Sequence, residues 1–135
     1  MFTLLYDRKH RVLLTRFSGT LSSEDLSALA ESARAFTNRE GLVRGLFDFS
    51  DVQVVDIPTH VLVNHAQQPA VLAGQDRVYV MPRPDLYGLG RMYGTYQRHF
   101  GDREPLVAHT LAEAYTALGI AAPDFQPIPD SGTDG

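Results

Sequence analysis

The segment YVMPRPDLYGLGRMYGTYQRHFG (79–101) carries three glycines in the spacing G-x-G-x-x-x-G, at Gly88, Gly90 and Gly94, directly after an apolar run. Glycines after a strand are what a phosphate-cradling turn needs, because they let backbone N–H groups approach the anion. The context is wrong for that chemistry. A dinucleotide turn starts within a residue or two of the strand end and has an acid about 20 positions on. Here Gly88 lies seven residues past Met81, and Ala108 and His109 stand where the acid belongs. No Lys-Ser or Lys-Thr follows, so a Walker-type loop is also ruled out. Read as helical, Gly90 and Gly94 lie about 40° apart on one face, while Gly88 is about 200° away from Gly90. Each costs about 1 kcal/mol relative to alanine, so the Gly90–Gly94 face is expected to admit a close neighbour.

Other residues suggest other chemistry. Arg83, Tyr87 and Arg91 are spaced to gather at the carboxyl end of the strand and hold an anion at a helix N-terminus. Tyr79 and Tyr93 would join them around an amphipathic ligand. Asp48, Asp51 and Asp56 cluster after an apolar strand, where carboxylates can serve acid/base or Mg²⁺ chemistry, or simply cap a loop and, at Asp56, a helix. His60 and His65 are five apart, about 140° around a helix, and so do not share a face as a zinc pair would. No G-x-S-x-G elbow is present.

Composition narrows the field. The chain has no cysteine, which removes disulfides, thiolate nucleophiles and iron–sulfur clusters. A net charge of −4 gives no global attraction to nucleic acid or anionic lipid, and no run approaches the ~20 apolar residues of a membrane helix. The N-terminus enters strand-like sequence without a signal-peptide pattern, which favours the cytosol.

The elements that must position these residues follow from periodicity. TLLYD (3–7) and RVLLTRFSG (11–19) read as an antiparallel pair. Ser22 then signals a helix start, and Leu26, Leu29, Ala30, Ala33 and Phe36 form one apolar face ending near Asn38–Gly41. LVRGLFDFS (42–50) is apolar on both alternation phases apart from Arg44 and Asp48, the pattern of a central strand covered on both sides. DVQVVDIP is expected to be a connection, THVLVNHAQQ a helix ended by Pro69, and DRVYVMP (76–82) a strand. A third helix runs from Leu86 to Phe100, with Asp85 as N-cap, Gly101 at the C-terminus, and Leu86, Leu89, Tyr93, Tyr96 and Phe100 on the buried stripe. EPLVAHT is a last strand and LAEAYTALG a last helix. The order β-β-α-β-α-β-α-β-α predicts an α/β domain over 1–120 with a mixed, mostly parallel sheet and helical crossovers. Residues 121–135 are Pro-rich and aperiodic, expected as an extended, partly disordered tail.

The segment GLFDFSDVQVVDIPTHVL (45–62) resembles the core signature of the STAS (anti-sigma-factor antagonist, SpoIIAA-like) superfamily. In that family a strand ends in Asp-Leu-Ser, a hydrophobic residue and an aspartate follow, and an acid-Ser-Ser-Gly step opens the next helix. Here the strand end is Asp48-Phe49-Ser50 and the acid is Asp56. FSGTLSSEDL also looks like the family, and the likeness spans roughly residues 3–119 of a chain similar to uncharacterised bacterial single-domain proteins of this kind. The resemblance implies a kinase-targeted serine at the helix opening, where phosphorylation disrupts partner binding. This sequence reads Asp56-Ile57-Pro58-Thr59-His60, with proline at that place and Thr59 the adjacent hydroxyl.

Together these readings predict a non-catalytic interaction or regulatory module, without a cofactor or metal, whose protein partner meets Ser50, Asp56, Thr59 and His60. The alternative is a carrier or sensor of an amphipathic or anionic small molecule, bound near the 83–96 helix by Arg83, Tyr87 and Arg91. The resemblance implies helices mainly on one face of the sheet, so the apolar residues on the other face of RVLLTRF need the tail or a second copy to cover them. A homodimer is expected.

Overall fold

The computed structural model describes residues 1–68, 71–99 and 103–128. Five strands and four helices follow in the expected order, β1 (Phe2–Asp7), β2 (Val12–Ser22), α1 (Ser23–Glu40), β3 (Arg44–Asp56), α2 (Thr59–Ala66), β4 (Arg77–Val80), α3 (Pro84–His99), β5 (Leu106–Ala108) and α4 (Leu111–Leu118). A sixth strand, β6 (Gln126–Pro127), had no signal in the periodicity. The sheet order is β5-β4-β3-β2-β1-β6. Strands β2 to β5 are mutually parallel, while β1 runs antiparallel to both β2 and β6.

Local signals explain where the first helix begins. The Ser22 hydroxyl accepts from the Asp25 backbone N–H at 3.3 Å, and the Asp25 carboxylate accepts from the Ser22 N–H at 3.0 Å, a reciprocal capping box. Gly41, at φ 91°, ends the helix where a side chain would be strained. Leu29, Ala33 and Phe36 are its buried residues.

Alternation along the strands separates two cores. Leu13, Phe17, Phe47, Phe49 and Tyr79 face α1, α2 and α3, and the Phe17 and Phe49 rings stack with centroids 4.6 Å apart. Val12, Leu14, Leu46, Val78 and Val80 face the opposite way, onto Ala114 and Leu118 of α4 and onto Ile120. Leu5, Tyr115 and Phe125 pack around this second cluster. The face expected to need the tail or a second copy is therefore covered by α4, by Ile120 and, from the tail, by Phe125.

Four expectations change. β3 does not end at Ser50, because residues 51–56 continue as strand and pair with Ser18–Ser22 of β2 through two register shifts. The second half of β2, read as the approach to α1, is what holds this extension. Asp56 is the last residue of β3, and the N-cap of α2 is Pro58, without a side-chain hydrogen bond. Asp85 lies inside the first turn of α3, which starts at Pro84. The expected buried stripe of α3 also shifts, since Leu86, Gly90, Gly94 and Gln97 are its buried residues while Tyr93 and Tyr96 are half-buried. Phe100 and Gly101, and Pro69 after α2, lie outside the described residues.

Candidate functional site

Ser50 sits where β3 outruns β4, whose last paired residue, Val80, is opposite Asp48. Its side chain is spent locally, with hydroxyl and backbone N–H both donating to Asp48 Oδ1, at 2.6 and 3.0 Å. Asp48 is buried, and its other oxygen lies 3.8 Å from Arg16 Nε. Nearby, burial pushes the Tyr115 phenol up, while the charges of Arg16 and Asp48 act on it in opposite senses. Asp48 therefore organises the strand end under α4.

Asp56 lies six residues beyond Ser50, up to about 20 Å along an extended strand. It is exposed and stands opposite Ser22, so α1 and α2 leave the sheet side by side. Thr59 and His60, both exposed, form the first turn of α2. The structure thus brings Asp56, Thr59 and His60 to one end and leaves Ser50 apart from them. Acid/base chemistry shared by Asp48, Asp56 and His60 has no geometric basis, since Asp48 is committed to Ser50 and Arg16 at a distance. Among the described residues no group of three or more His, Asp or Glu side chains is placed to hold a metal ion.

Arg83, Tyr87 and Arg91 do share one region, but not as an open anion site. Arg83 Nη1 donates to the Val52 carbonyl at 2.9 Å, tying the turn after β4 to the β3 extension. Its Nε and Nη2 each donate to the Asp85 carboxylate at 3.2 Å. The hydrogen-bonded Arg83 guanidinium holds Asp85 below the ordinary carboxylate range, and backbone N–H groups of the first turn add to this. The anion at this helix N-terminus is thus the chain's own. Tyr87 stacks on His109 at 4.2 Å with the planes 7° apart, and the Arg91 guanidinium lies 6.0 Å from the Tyr87 ring centroid.

The glycines of α3 answer to packing. A Cβ at Gly90 would run into Met81 Sδ and lie 3.7 Å from Val107, and one at Gly94 would stand 3.2 Å from the Pro105 ring. A Cβ at Gly88 would meet nothing within 4 Å. The Gly90–Gly94 face is thin because Met81 just past β4, Val107 of β5 and Pro105 lie against it.

Beneath this helix, between α1, α2, α3 and the sheet, is an apolar cavity of about 100 Å³ whose wall includes Tyr79 and Tyr93 of the expected ligand set but not Arg83, Tyr87 or Arg91. Phe17, Leu29, Phe47, Leu62 and Leu89 line it, together with Arg77, Tyr79, Tyr93 and Gln97. Arg77 is only 3% exposed. Its Nη1 donates to Gln97 Oε1 at 3.2 Å, where the Tyr79 hydroxyl also donates at 3.3 Å, and its Nη2 donates to the Arg103 carbonyl. Its Nε is buried without a partner. The sequence did hold a signal for this pair. Arg77 is the one charge in the otherwise apolar strand β4, at its start, and Gln97 falls three residues after Gly94, on the buried face of α3.

No protein-family model and no curated protein sequence matches this chain at a significant level. Solved structures do match in shape, two of SpoIIAA among them. The unphosphorylated anti-sigma factor antagonist SpoIIAA aligns over 88% of this chain and 98% of its own, with a TM-score of 0.55 and 12% identity. The phosphorylated form of SpoIIAA, described as a Bacillus cell fate determinant, aligns over 87% and 99%, with a TM-score of 0.53 and 12% identity. The sheet order, the helices on either side and the extent of these alignments give the chain a STAS, SpoIIAA-like fold.

Proposed function

We propose that this chain is a non-catalytic regulatory module that binds a protein partner through the end of the sheet where α1 and α2 begin. The supporting observation is the juxtaposition of exposed Asp56, Thr59 and His60 on a fold otherwise described in an anti-sigma factor antagonist. Loops and helix starts on a rigid α/β scaffold are where binding residues commonly sit. Ser50 joins as a rim residue whose hydroxyl already serves Asp48.

SpoIIAA has been solved with and without phosphate, and the corresponding switch here would act at Thr59, the first residue of α2. A phosphate there would meet the unsatisfied N–H groups of the first turn and add charge beside Asp56, changing what the surface accepts. The reading includes a cytoplasmic, bacterial setting. Self-association completes it, and a homodimer would have to use a surface other than the β2 face, which α4, Ile120 and Phe125 cover.

Affinity capture from a bacterial lysate tests the surface, comparing the unaltered chain with the double variant Asp56→Ala, His60→Ala. The partner profile should lose its main bands in the variant. Identical profiles would remove the site assignment.

A further inference from the structure

The cavity under α3 is lined by none of Ser50, Asp56, Thr59 and His60, and the one arginine in its wall is unusual. An arginine stays protonated in any protein environment, so burial cannot neutralise it. Burying such a charge is tolerated when a counter-ion and a full set of acceptors surround it. Around Arg77 the acceptors found are an amide oxygen and a carbonyl, both neutral, and Nε has none. No carboxylate pairs with it among the described residues. The rest of the cavity wall is mainly aliphatic and aromatic.

From this we infer that the cavity is a binding site for a small apolar monocarboxylate, whose carboxylate accepts from Arg77 Nε and whose hydrocarbon body fills the space between α3 and Phe47. A carboxylate supplies the missing acceptor and the missing countercharge together, through a charge-assisted hydrogen bond. A phosphate monoester would bring a second charge and a third terminal oxygen into a wall that is otherwise mainly apolar. The cavity volume, about 100 Å³, is smaller than the void of about 150 Å³ that holds benzene, which favours a short unbranched chain over a ring. A surface groove along α1 near Ser27 and Glu31 adjoins the cavity, with His65, Val71 and Tyr93 bordering both. The Arg83, Tyr87 and Arg91 set expected to hold such a ligand is replaced in this assignment by Arg77, with Tyr79 and Gln97 fixing its guanidinium.

The test is an NMR titration of the intact ¹⁵N-labelled chain with pentanoate and, separately, with pentan-1-ol, which matches its apolar body without the charge. Pentanoate should give saturable shifts at the amides of Leu62, Leu89 and Tyr93, with an affinity about tenfold higher than the alcohol's. In Arg77→Met that preference should vanish while the alcohol still binds. If this variant does not fold, the ratio of the two ligands on the unaltered protein decides. No saturable shift with pentanoate up to about 10 mM, or equal affinities for acid and alcohol, overturns the inference. Either result leaves the lysate experiment at Asp56 and His60 untouched, so the two readings fail separately.

Discussion

Asp7 shows how much one buried side chain can organise. It is 1% exposed at the end of β1, and it accepts from the His10 backbone N–H at 3.0 Å, from the His10 ring at 2.8 Å and from the Asp124 backbone N–H at 3.1 Å. The ring bond to a carboxylate requires the proton on Nδ1. Burial raises the Asp7 pKa, but these hydrogen bonds and the His10 charge outweigh it, and the net direction is down. A carboxyl whose pKa is lower when folded contributes its stability fully above the unfolded value, about 4, and loses it as pH falls through the folded value. Asp7→Ala should cost about 1–3 kcal/mol at pH 7, because it strands the donors left behind. Asp7→Asn should flatten the fall in unfolding free energy below pH ~4. Urea unfolding between pH 7 and pH 2 measures both, and equal acid slopes for the Asp7→Asn variant and the unaltered chain would exclude the role.

The elements were legible where their signals were local. Ser22 announced α1, and the run over 42–50, apolar on both phases apart from Arg44 and Asp48, announced the central strand. Exceptions to patterns were harder to read. Arg44, a charge in that strand, donates to the Leu118 carbonyl at 2.6 Å and so closes the end of α4, a partner 74 residues away. The β3 extension and β6 depend on pairing with distant segments, and short strands of this kind carry no periodicity of their own. Of the expected site, the grouping of Asp56, Thr59 and His60 was legible because it lies within five residues. Arg77 and Gln97 meet only after α3 packs back on β4. The α3 glycines supply an element-scale comparison. Gly88→Ala should stabilise by roughly 0.5–1 kcal/mol, since the helix gains alanine's propensity and nothing is displaced. In Gly94→Ala the same gain is offset by the rigid Pro105 ring, so its thermal midpoint should fall below that of Gly88→Ala. Calorimetry on the two variants gives the order directly.

Across the whole molecule, the sheet has a long-range clasp. Asp7 fixes Asp124, β6 then pairs Gln126 with Tyr6 and Pro127 with Leu5, and the outer edge of β1 is partly closed. Phe125, stacked near Tyr115 at 6.3 Å, adds to the cover over the second core. The sheet face expected to be covered by the tail or a second copy is thus closed within one chain.

The cavity beside Arg77 also bears on how the protein answers to compression. A void of about 100 Å³ that is lost on unfolding corresponds to a volume decrease on the order of 60 mL/mol, well inside the range that lets hydrostatic pressure unfold a domain. Val55→Leu adds a methylene at the cavity wall and should shrink the measured unfolding volume, as should saturating pentanoate. High-pressure NMR reads that volume, and an unchanged value in both cases would mean that the space is already filled by water. If it is dry, kilobar pressure becomes a direct gauge of whether the space under α3 is occupied.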